Sequence, residues 1–392
     1  MKYITRTVWI LSVVSLFTDM ASEMLYPILP IYLKSIGFSV VLIGVLEGVA
    51  EATAGLSKGY FGKRSDLSGK RVPFVQLGYA FSALSKPMMA LFIFPIWIFF
   101  ARTLDRIGKG IRTGARDALL SDEATSATKG KIFGFHRSMD TMGAVLGPAL
   151  ALLYLYFYPE DYTTLFFIAF APGLLAILAT FLLKDKKTKV VTQKKPQHFF
   201  SFLNYWKESP KAYRKLVIGL LLFTLFNSSD VFLLLKAKEA GLDDTMVVGV
   251  YIFYNLIYAL FAFPVGILAD KVGLKTIFIL GLILFAIVYF GMSMSTNLYI
   301  FFGLFFLYGV YAAATEGISK AWISNISERK DTATAIGTYS GLQSICTMIA
   351  STLTGFIWFQ FGATVAFVTI GVVTLLVIVY MLTVPKPKIQ AV

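Results

Sequence analysis

The amino-acid sequence predicts an all-α polytopic membrane protein, and three observations support this prediction. Apolar residues make up 57% of the 392-residue chain and charged residues 15%, whereas soluble domains carry about 25% charged residues. The apolar residues fall in blocks of about twenty, which lets a helix cross roughly 30 Å of hydrocarbon. Residues 332–385 contain no charged residue, and this stretch is long enough for two spans. Helices satisfy their own backbone hydrogen bonds, so they are the default spanning structure in lipid.

The hydropathy pattern predicts twelve spanning helices. Their expected bounds are 7–33, 40–62, 72–94, 96–121, 132–157, 163–183, 215–235, 246–268, 275–295, 298–324, 332–358 and 362–383. The strands of a membrane barrel would instead alternate apolar and polar residues. Segment 277–290 shows no such alternation.

A basic segment at 184–215 divides the predicted helices into two sets of six. It contains ten Lys and Arg residues against only Asp185 and Glu208. Lys and Arg concentrate in the cytoplasmic loops of membrane proteins, which accounts for the net charge of +14 without nucleic-acid binding. We therefore predict an N-terminal six-helix bundle at 1–183, a cytoplasmic linker at 184–214 and a C-terminal six-helix bundle at 215–392. Both termini are expected in the cytoplasm.

An internal repeat relates the two halves. The segment after the second span reads GKRSDLSGKR, and the segment after the eighth reads GILADKVGLK. Both contain the pattern G-x3-D-x2-G followed by a basic residue. The matching residues are Gly62, Asp66, Gly69 and Arg71 in the first copy, and Gly266, Asp270, Gly273 and Lys275 in the second. Glycine tolerates a positive φ in a tight turn, and aspartate accepts hydrogen bonds from a helix N-terminus.

With this repeat, the chain resembles the major facilitator superfamily, of which the loop is the best-known signature. The run Arg106-Ile-Gly-Lys109-Gly110 is similar to the family's R-x-x-Q-G motif, with Lys109 in place of Gln. The resemblance implies the major facilitator fold, twelve transmembrane helices as two six-helix bundles, working by alternating access. It also implies that Asp66 and Asp270 hold the cytoplasmic side shut, although Leu67 stands where the family has a basic residue.

A further motif in the fifth span is similar to the G-x3-G-P element of the family's drug–proton antiporters. Its residues are Gly143, Gly147 and Pro148. The resemblance implies a bend that seals one side of the cavity against proton leak. The same residues also fit plain packing, because small residues four apart let two membrane helices approach closely.

Ionisable residues inside spans are costly and mark functional sites, and the fourth span carries the most. Arg102, Asp105, Arg106, Lys109, Arg112 and Arg116 occupy an arc of roughly 120°, at about 100° per residue. In the major facilitator fold the first, fourth, seventh and tenth spans line a central cavity. The resemblance therefore places this arc near the remaining candidates for the substrate and proton pathway, which are Asp19, Glu23, Asp230, Glu316 and Lys320. Alternatively, these charges pair only with each other to hold the helices in register.

The predicted function is proton-coupled export of a small organic molecule by a secondary active transporter. Asp19 and Glu23, or Glu316 beside Lys320, are candidate proton carriers, and Arg106 is the candidate switching partner. The alternative is uptake or exchange of an anionic solute on the basic face of the fourth span. No enzyme motif, metal site or cofactor site is present in the sequence. We expect a monomer in the lipid bilayer of a prokaryotic inner membrane, with protons and a small-molecule substrate as its partners and no nucleic acid.

Overall fold

The computed structural model describes residues 4–26, 28–185, 198–242, 244–295 and 297–385, and it contains no strand among them. Residues 186–197 of the predicted basic linker lie outside these ranges. The helices up to the linker are α1 (Arg6–Leu25), α2 (Leu29–Ser35), α3 (Val40–Ser68), α4 (Val72–Leu91), α5 (Pro95–Asp122), α6 (Lys129–Phe157) and α7 (Tyr162–Thr180). Those that follow are α8 (Tyr205–Glu208), α9 (Lys211–Thr224), α10 (Val231–Glu239), α11 (Asp244–Val272), α12 (Leu274–Met294), α13 (Leu298–Ile326) and α14 (Thr332–Thr383). Short 3-10 helices at Phe199–Asn204 and Arg329–Asp331 precede α8 and α14.

Two of the predicted spans were wrong as single helices. The first span, predicted at 7–33, is broken into α1 and α2, and α2 has a proline in its first turn, where proline is favoured. The seventh, predicted at 215–235, is broken into α9 and α10 by an irregular stretch at 225–230. That stretch contains Asn227, Ser228 and Ser229, whose side chains compete with helical backbone hydrogen bonds. The eleventh and twelfth spans are both contained in α14, which bends at Gly362 with a φ of 87°.

Seven described helices are long and apolar enough to cross a membrane by length and composition. They are α1, α6, α7, α11, α12, α13 and α14, the last holding two predicted spans. The helices α3 and α5 are long enough but carry many charged residues, and α9 has only 14 residues. Fewer than the twelve predicted spans meet this criterion, largely because some spans are charged and others are broken. The chain is a multi-pass membrane protein.

The chain divides into two compact units, each assembled from several segments. The first unit comprises Met1–Glu123, Met139–Glu208 and Glu328–Ser344, and the second comprises Ala124–Ser138, Ser209–Ser327 and Ile345–Val392. The first turns of α6 thus belong to the second unit, and the first turns of α14 belong to the first. The division into an N-terminal bundle, a linker and a C-terminal bundle remains a prediction.

Close backbone packing positions the charged helix α5 within the first unit. A Cβ atom added at Gly108 of α5 would lie 2.6 Å from the carbonyl oxygen of Gly78 on α4. A Cβ added at Gly78 would lie equally close to the Gly108 carbonyl oxygen. Since neither helix tolerates a side chain here, the face of α5 that carries Gly108 is fixed against α4.

Candidate functional site

The largest group of charged side chains lies on and around α5 in the first unit. The Nζ atom of Lys86, a residue only 2% exposed, lies 3.0 Å from Oδ1 of Asp105. Arg102 Nη1 lies 3.4 Å from the other carboxylate oxygen of Asp105. Arg102 also donates two hydrogen bonds to Glu47, at 2.8 and 2.7 Å. These four residues form a chain of alternating charge.

Arg106 connects this chain to a second carboxylate of α3. Its guanidinium nitrogens lie 3.8 Å from Glu47 Oε2 and 3.6 Å from Glu51 Oε2. Glu47 and Glu51 are one helical turn apart, which puts both on the same face of α3. We call these six residues the α5 network: Glu47, Glu51, Lys86, Arg102, Asp105 and Arg106. Each charge in it has an opposite charge nearby, which offsets much of the cost of burial.

Asp19 of α1 lies among both acids and bases. It interacts electrostatically with Glu23, Asp140, Lys109 and Arg112. Lys109 also interacts with Glu51, so it connects the α1 carboxylates with the α5 network. Like charges in one buried site oppose each other's ionisation, and neighbouring cations favour it. Protonation of Asp19 is therefore coupled to the positions of basic side chains.

Arg116 joins α5 to a hydrogen-bonded group on α1 and α6. Its Nη2 atom lies 2.8 Å from Oδ1 of the adjacent Asp117. Its Nη1 atom donates to Ser15 Oγ at 3.4 Å, and Ser15 Oγ in turn donates to Asp140. The first unit thus contains Asp117 and Asp140 as two further buried carboxylates beside the predicted candidates.

Arg112 has a different environment from the other arginines of α5. It donates to Ser82 Oγ, and its guanidinium lies 4.5 Å from the centroid of the Tyr79 ring, which is a cation–π geometry. The Nε atoms of Arg106 and Arg112 are both buried and have no hydrogen-bond partner among the described residues. Polar hydrogens in this condition are available to a ligand or to water.

The glycines of the G-x3-G-P element bring α6 against α1 beside the candidate acids. A Cβ added at Gly147 would lie 2.6 Å from the carbonyl oxygen of Met20. A Cβ added at Gly143 would lie 3.0 Å from the Cβ of Asp19. Pro148 follows inside the same helix.

The aspartate of the first signature loop caps a helix. Asp66 accepts hydrogen bonds from Thr334 N at 2.7 Å, Thr334 Oγ1 at 2.8 Å and Ala333 N at 3.4 Å. These donors belong to the first turn of α14, whose free amides favour an anion. Gly62 permits the approach, since a Cβ there would lie 2.5 Å from the Ala333 carbonyl oxygen.

Arg71 of the same loop binds several groups at once. It pairs with Asp66 at 3.3 Å and with Asp122 at the end of α5, and it donates to the carbonyl oxygen of Arg329 at 3.2 Å. Arg329 Nε also lies 2.9 Å from Asp122. Gly69 ends α3 in the left-handed region, with a φ of 63°.

The second signature loop repeats this capping in the second unit. Asp270 accepts hydrogen bonds from Gly130 N and Lys131 N, both at 2.8 Å, at the start of α6. Gly266 touches the backbone of Gly130 so closely that a Cβ would clash with its carbonyl oxygen. Gly273 has a φ of 106°. Each loop therefore places its first glycine and its aspartate against the first turn of another helix.

The basic residues that end the two loops have different partners. Arg71 binds carboxylates, whereas Lys275 donates to the carbonyl oxygens of Leu382 at 2.7 Å and Val384 at 2.5 Å. These carbonyls lie at the C-terminal end of α14, where a cation is favoured. The two loops therefore share the contacts of their first glycine and their aspartate, but not those of their last basic residue.

The second unit holds the remaining candidates on α10 and α13. Glu316 lies 3.4 Å from Arg137 Nη2, and Arg137 also donates to the hydroxyl of Tyr258. Lys320 lies one helical turn after Glu316 on α13. Asp230 precedes α10 and accepts hydrogen bonds from two tyrosines, Tyr254 and Tyr308.

The short helical segment at 199–208, inside the predicted linker, packs into the first unit. The Phe202 side chain is 1% exposed and fills the space beside Gly59, where a Cβ would overlap the Phe202 ring. The Phe202 carbonyl accepts from Thr338 Oγ1 at 3.4 Å, and Lys63 Nζ donates to the Ser201 carbonyl at 2.8 Å. Phe202 therefore contacts both α3 and the start of α14.

The structure brings part of the predicted pathway together within one unit. Asp19, Glu23, Arg102, Asp105, Arg106 and Lys109 lie in the first unit, and Asp230, Glu316 and Lys320 lie in the second. A single aqueous space shared by all nine remains a prediction. Sequence reasoning left Glu47 and Glu51 outside the site, although their spacing of four residues signalled one shared face. It missed Asp117 and Tyr308, for which no pattern in the sequence stood out, and Phe202, for which the aromatic run HFFSFLNYW at 198–206 was an available signal.

Comparison with protein-family models identifies the family. The Major Facilitator Superfamily model matches residues 11–255 and 232–392. A protein of Methanocaldococcus jannaschii, described as an uncharacterized MFS-type transporter, is 32% identical over 381 residues, covering 94% of each chain. The predicted family is therefore confirmed, whereas no comparison identifies the drug–proton antiporter branch.

Solved structures share the fold over nearly the whole chain. The human organic anion transporter MFSD10 has a TM-score of 0.84 at 16% identity, covering 96% of this chain and 99% of that one. The proton:xylose symporter XylE, solved with 6-bromo-6-deoxy-D-glucose, has a TM-score of 0.76 at 16% identity, covering 100% and 98%. At these identities the likeness establishes the fold, and the predicted two-times-six-helix class is confirmed.

Proposed function

This chain belongs to the major facilitator superfamily, and we propose that it is a proton-coupled exporter of a small organic molecule. Membership of the family makes it a transporter. We propose that it works by alternating access. The proposal adds a direction, a coupling ion and a substrate class. Its support comes from the charges in the first unit.

The observation that carries the proposal is that the basic face of α5 is compensated by acids. The bases on and beside α5 are Lys58, Lys86, Arg102, Arg106, Lys109, Arg112 and Arg116, and the acids around them are Asp19, Glu23, Glu47, Glu51, Asp105, Asp117 and Asp140. A site for an anionic solute needs an excess of positive charge or unengaged donors. These seven acids balance the seven bases, so the set has no excess of positive charge, which favours a neutral or cationic substrate.

Proton coupling follows from the mixed surroundings of Asp19. Its carboxyl group lies near the acids Glu23 and Asp140 and the bases Lys109 and Arg112. If helix movement withdraws a base, the charged carboxylate loses its stabilisation and takes up a proton. We propose Asp19 and Glu23 as the carriers and Arg106, which acts on Lys109 beside Asp19, as the switching partner.

The two signature loops serve as gates in this proposal. Asp66 and Asp270 each hold the first turn of a helix, α14 and α6 respectively, through two or more hydrogen bonds. Opening the gate would expose these amides and carboxylates to water, which replaces the lost bonds. The cost of switching is therefore small enough for repeated cycles.

A second candidate function is transport of an organic anion. The buried Nε atoms of Arg106 and Arg112 without hydrogen-bond partners favour it, because guanidinium groups bind carboxylates in this way. The human relative in fold is itself an organic anion transporter. Only these two guanidinium donors among the described residues support this candidate, and both belong to side chains that already bind other groups.

The two candidates are separated by substrate-evoked proton flux. The full-length protein is reconstituted in liposomes loaded with a pH dye, a proton gradient is imposed, and lipophilic cations, neutral drugs and organic anions are added in turn. Export predicts a signal with cations or neutral compounds. A signal with anions alone, lost in Arg106→Gln and Arg112→Gln, would establish the anion carrier instead.

We also propose that the chain acts as a monomer in a prokaryotic inner membrane with both termini in the cytoplasm. The positions of the basic loops support this orientation. Cys346 is the only cysteine, so its serine variant provides a cysteine-free background for new single cysteines. Labelling of a cysteine at Lys70 from the cytoplasmic side alone is expected, and labelling from the opposite side alone would reverse the orientation.

A further inference from the structure

The break in the seventh predicted span places a carboxylate in irregular backbone inside the second unit. Helix α9 ends at Thr224 and α10 begins at Val231. Asp230 directly precedes α10 but makes no capping bond to it. Irregular backbone at membrane depth is tolerated where it is buried in protein or lines a cavity. The function of the Asp230 carboxylate therefore depends on the side chains that it contacts instead.

Neutral donors hold the Asp230 carboxylate. Tyr308 OH donates to Oδ1 and Tyr254 OH donates to Oδ2, and both tyrosines are buried, at 3% and 4% exposure. Among the described residues, no Lys, Arg or His forms an ion pair with Asp230, and the charged residue that acts on it is the acid Glu316. A carboxylate that is partly withdrawn from water is costly without a cation, and this favours an external positive charge beside Asp230.

Further aromatic rings pack against the two tyrosines that hold this carboxylate. Tyr254 and Tyr308 have ring centroids 5.4 Å apart, Tyr311 lies 5.2 Å from Tyr308, and Tyr251 lies 5.4 Å from Tyr254. The faces of such rings attract cations. The rings are contributed by α11 and α13, which pack against each other.

An unused hydrogen-bond acceptor lies in the same cluster. Asn227 Nδ2 donates to Tyr311 OH at 3.0 Å, while its Oδ1 is buried without a hydrogen-bond partner among the described residues. Ser228 Oγ lies 3.2 Å from Tyr289 OH. We call these residues the Asp230 cluster: Asn227, Ser228, Asp230, Tyr254, Tyr289, Tyr308 and Tyr311. A free amide oxygen accepts a hydrogen bond from an ammonium group.

We propose that the Asp230 cluster binds the positively charged group of the transported molecule, an organic ammonium or another lipophilic cation. An unpaired carboxylate, tyrosine faces and a free amide oxygen are together the chemistry that such a group requires. Asp230 itself is partly exposed, so a ligand can reach it. This proposal rests on the proposed function in one respect, namely that the bound cation is the molecule transported.

Binding of tetraphenylphosphonium to the purified full-length protein tests the proposal. Equilibrium dialysis compares wild type with Asp230→Asn and Asp230→Glu. We expect about tenfold weaker binding or more in Asp230→Asn, since one partner of a partly desolvated charge pair is removed, and an intermediate loss in Asp230→Glu. Glu239→Gln, a change in a half-exposed acid of the same unit, is the matched control and should bind like wild type.

A measurement on the wild type avoids dependence on a folded variant. A hydrophobic carbodiimide modifies protonated carboxyl groups in membrane proteins, and peptide mass spectrometry reports the extent at each position. Tetraphenylphosphonium should protect Asp230 and leave Glu239 unchanged. Equal modification of Asp230 with and without the cation would overturn the proposal, as would unchanged binding in a folded Asp230→Asn variant.

The outcomes also distinguish this proposal from the proposed function. Asp230-dependent binding without cation-evoked proton flux would leave the site standing and remove proton-coupled export. Cation-evoked flux with Asp230-independent binding would leave the export proposal and remove the site. Loss of flux with neutral and cationic compounds alike in Asp230→Asn, with binding intact, would make Asp230 a proton carrier and overturn cation recognition.

Discussion

In the first unit, every carboxylate of the α5 network has a basic nitrogen within 4 Å, whereas Asp230 in the second unit is held by two phenols. Helix α5 has an excess of basic residues when its own sequence is considered alone. Glu47 and Glu51 of α3 pair with its arginines, and Lys86 of α4 pairs with its Asp105, so the charges of the α5 network balance. Asp230, by contrast, looks like a single acid in an apolar span and stays unbalanced. The partners of a charge in three dimensions, rather than the charge of its own helix, therefore decide which region is free to bind a ligand.

The largest effect is expected where a fully buried pair is broken. Asp105→Asn leaves the ammonium of Lys86 buried without its carboxylate 3.0 Å away, and we expect a loss of about 3–5 kcal/mol in the free energy of unfolding. Thermal unfolding of the purified protein in detergent measures it. The matched control is the double variant Lys86→Met with Asp105→Asn, which should regain most of the loss. Equal destabilisation in both would show that the pair is not balanced as described.

A smaller effect is expected at the partly exposed end of the same network. Glu47→Gln removes a carboxylate that receives two hydrogen bonds from Arg102, and its side chain is 35% exposed. We expect a loss of about 2 kcal/mol. Glu51→Gln, whose partner Arg106 lies at 3.6 Å and whose side chain is 48% exposed, serves as the control with a smaller loss. A larger loss in Glu51→Gln than in Glu47→Gln would show that the pair of Glu51 with Arg106 is the stronger one.

The Asp230 cluster should respond more weakly in stability. Tyr308→Phe removes one of two donors to the carboxylate while keeping the ring, and we expect a loss of about 1–2 kcal/mol. Tyr289→Phe, which removes a neutral bond to Ser228, is the control, with a loss of about 0.6 kcal/mol, the average for such bonds in membranes. Tetraphenylphosphonium should raise the unfolding temperature of both variants. Failure to stabilise either one would contradict a cation site built on Asp230.

A partly exposed acid outside both regions, Asp161, should give the smallest effect. Asp161 accepts hydrogen bonds from Tyr154 OH at 2.8 Å and Thr164 N at 3.2 Å, and these bonds lower the pKa of Asp161 below its ordinary value of 3.8. The stabilisation is therefore present above that value and is lost as the pH falls through the lowered pKa. The difference in unfolding temperature between wild type and Asp161→Asn should be small at pH 7 and shrink in acid. A difference that grows in acid would contradict this assignment.

The fold and the repeated loops could be predicted from the sequence because they depend on local patterns. Apolar blocks gave the helices, and the residues around Asp66 and Asp270 gave the repeat. The breaks in the first and seventh spans were missed because a hydropathy window averages over short polar runs such as Asn227–Asp230. That run was the available signal.

The partners of the charged residues could not be predicted, because pairing depends on which helix faces α5. The helical spacing predicted that six charges of the fourth span share one face, but it did not indicate that Glu47 and Lys86 would pair with Arg102 and Asp105 of that face. Phe202 lies in an aromatic run, HFFSFLNYW at 198–206, inside the basic segment, and the contact with Gly59 shows where its ring packs. Sequence thus identified which residues are unusual, and the fold identified what they contact.

Proton coupling through the first unit is tested most directly by the pH-driven efflux of a transported compound in Asp19→Asn and Glu23→Gln proteoliposomes. Our account predicts that at least one variant loses accumulation driven by a proton gradient while remaining folded and still exchanging substrate across the membrane without a gradient. Unchanged gradient-driven transport in both folded variants would contradict the account and remove Asp19 and Glu23 from the proton pathway.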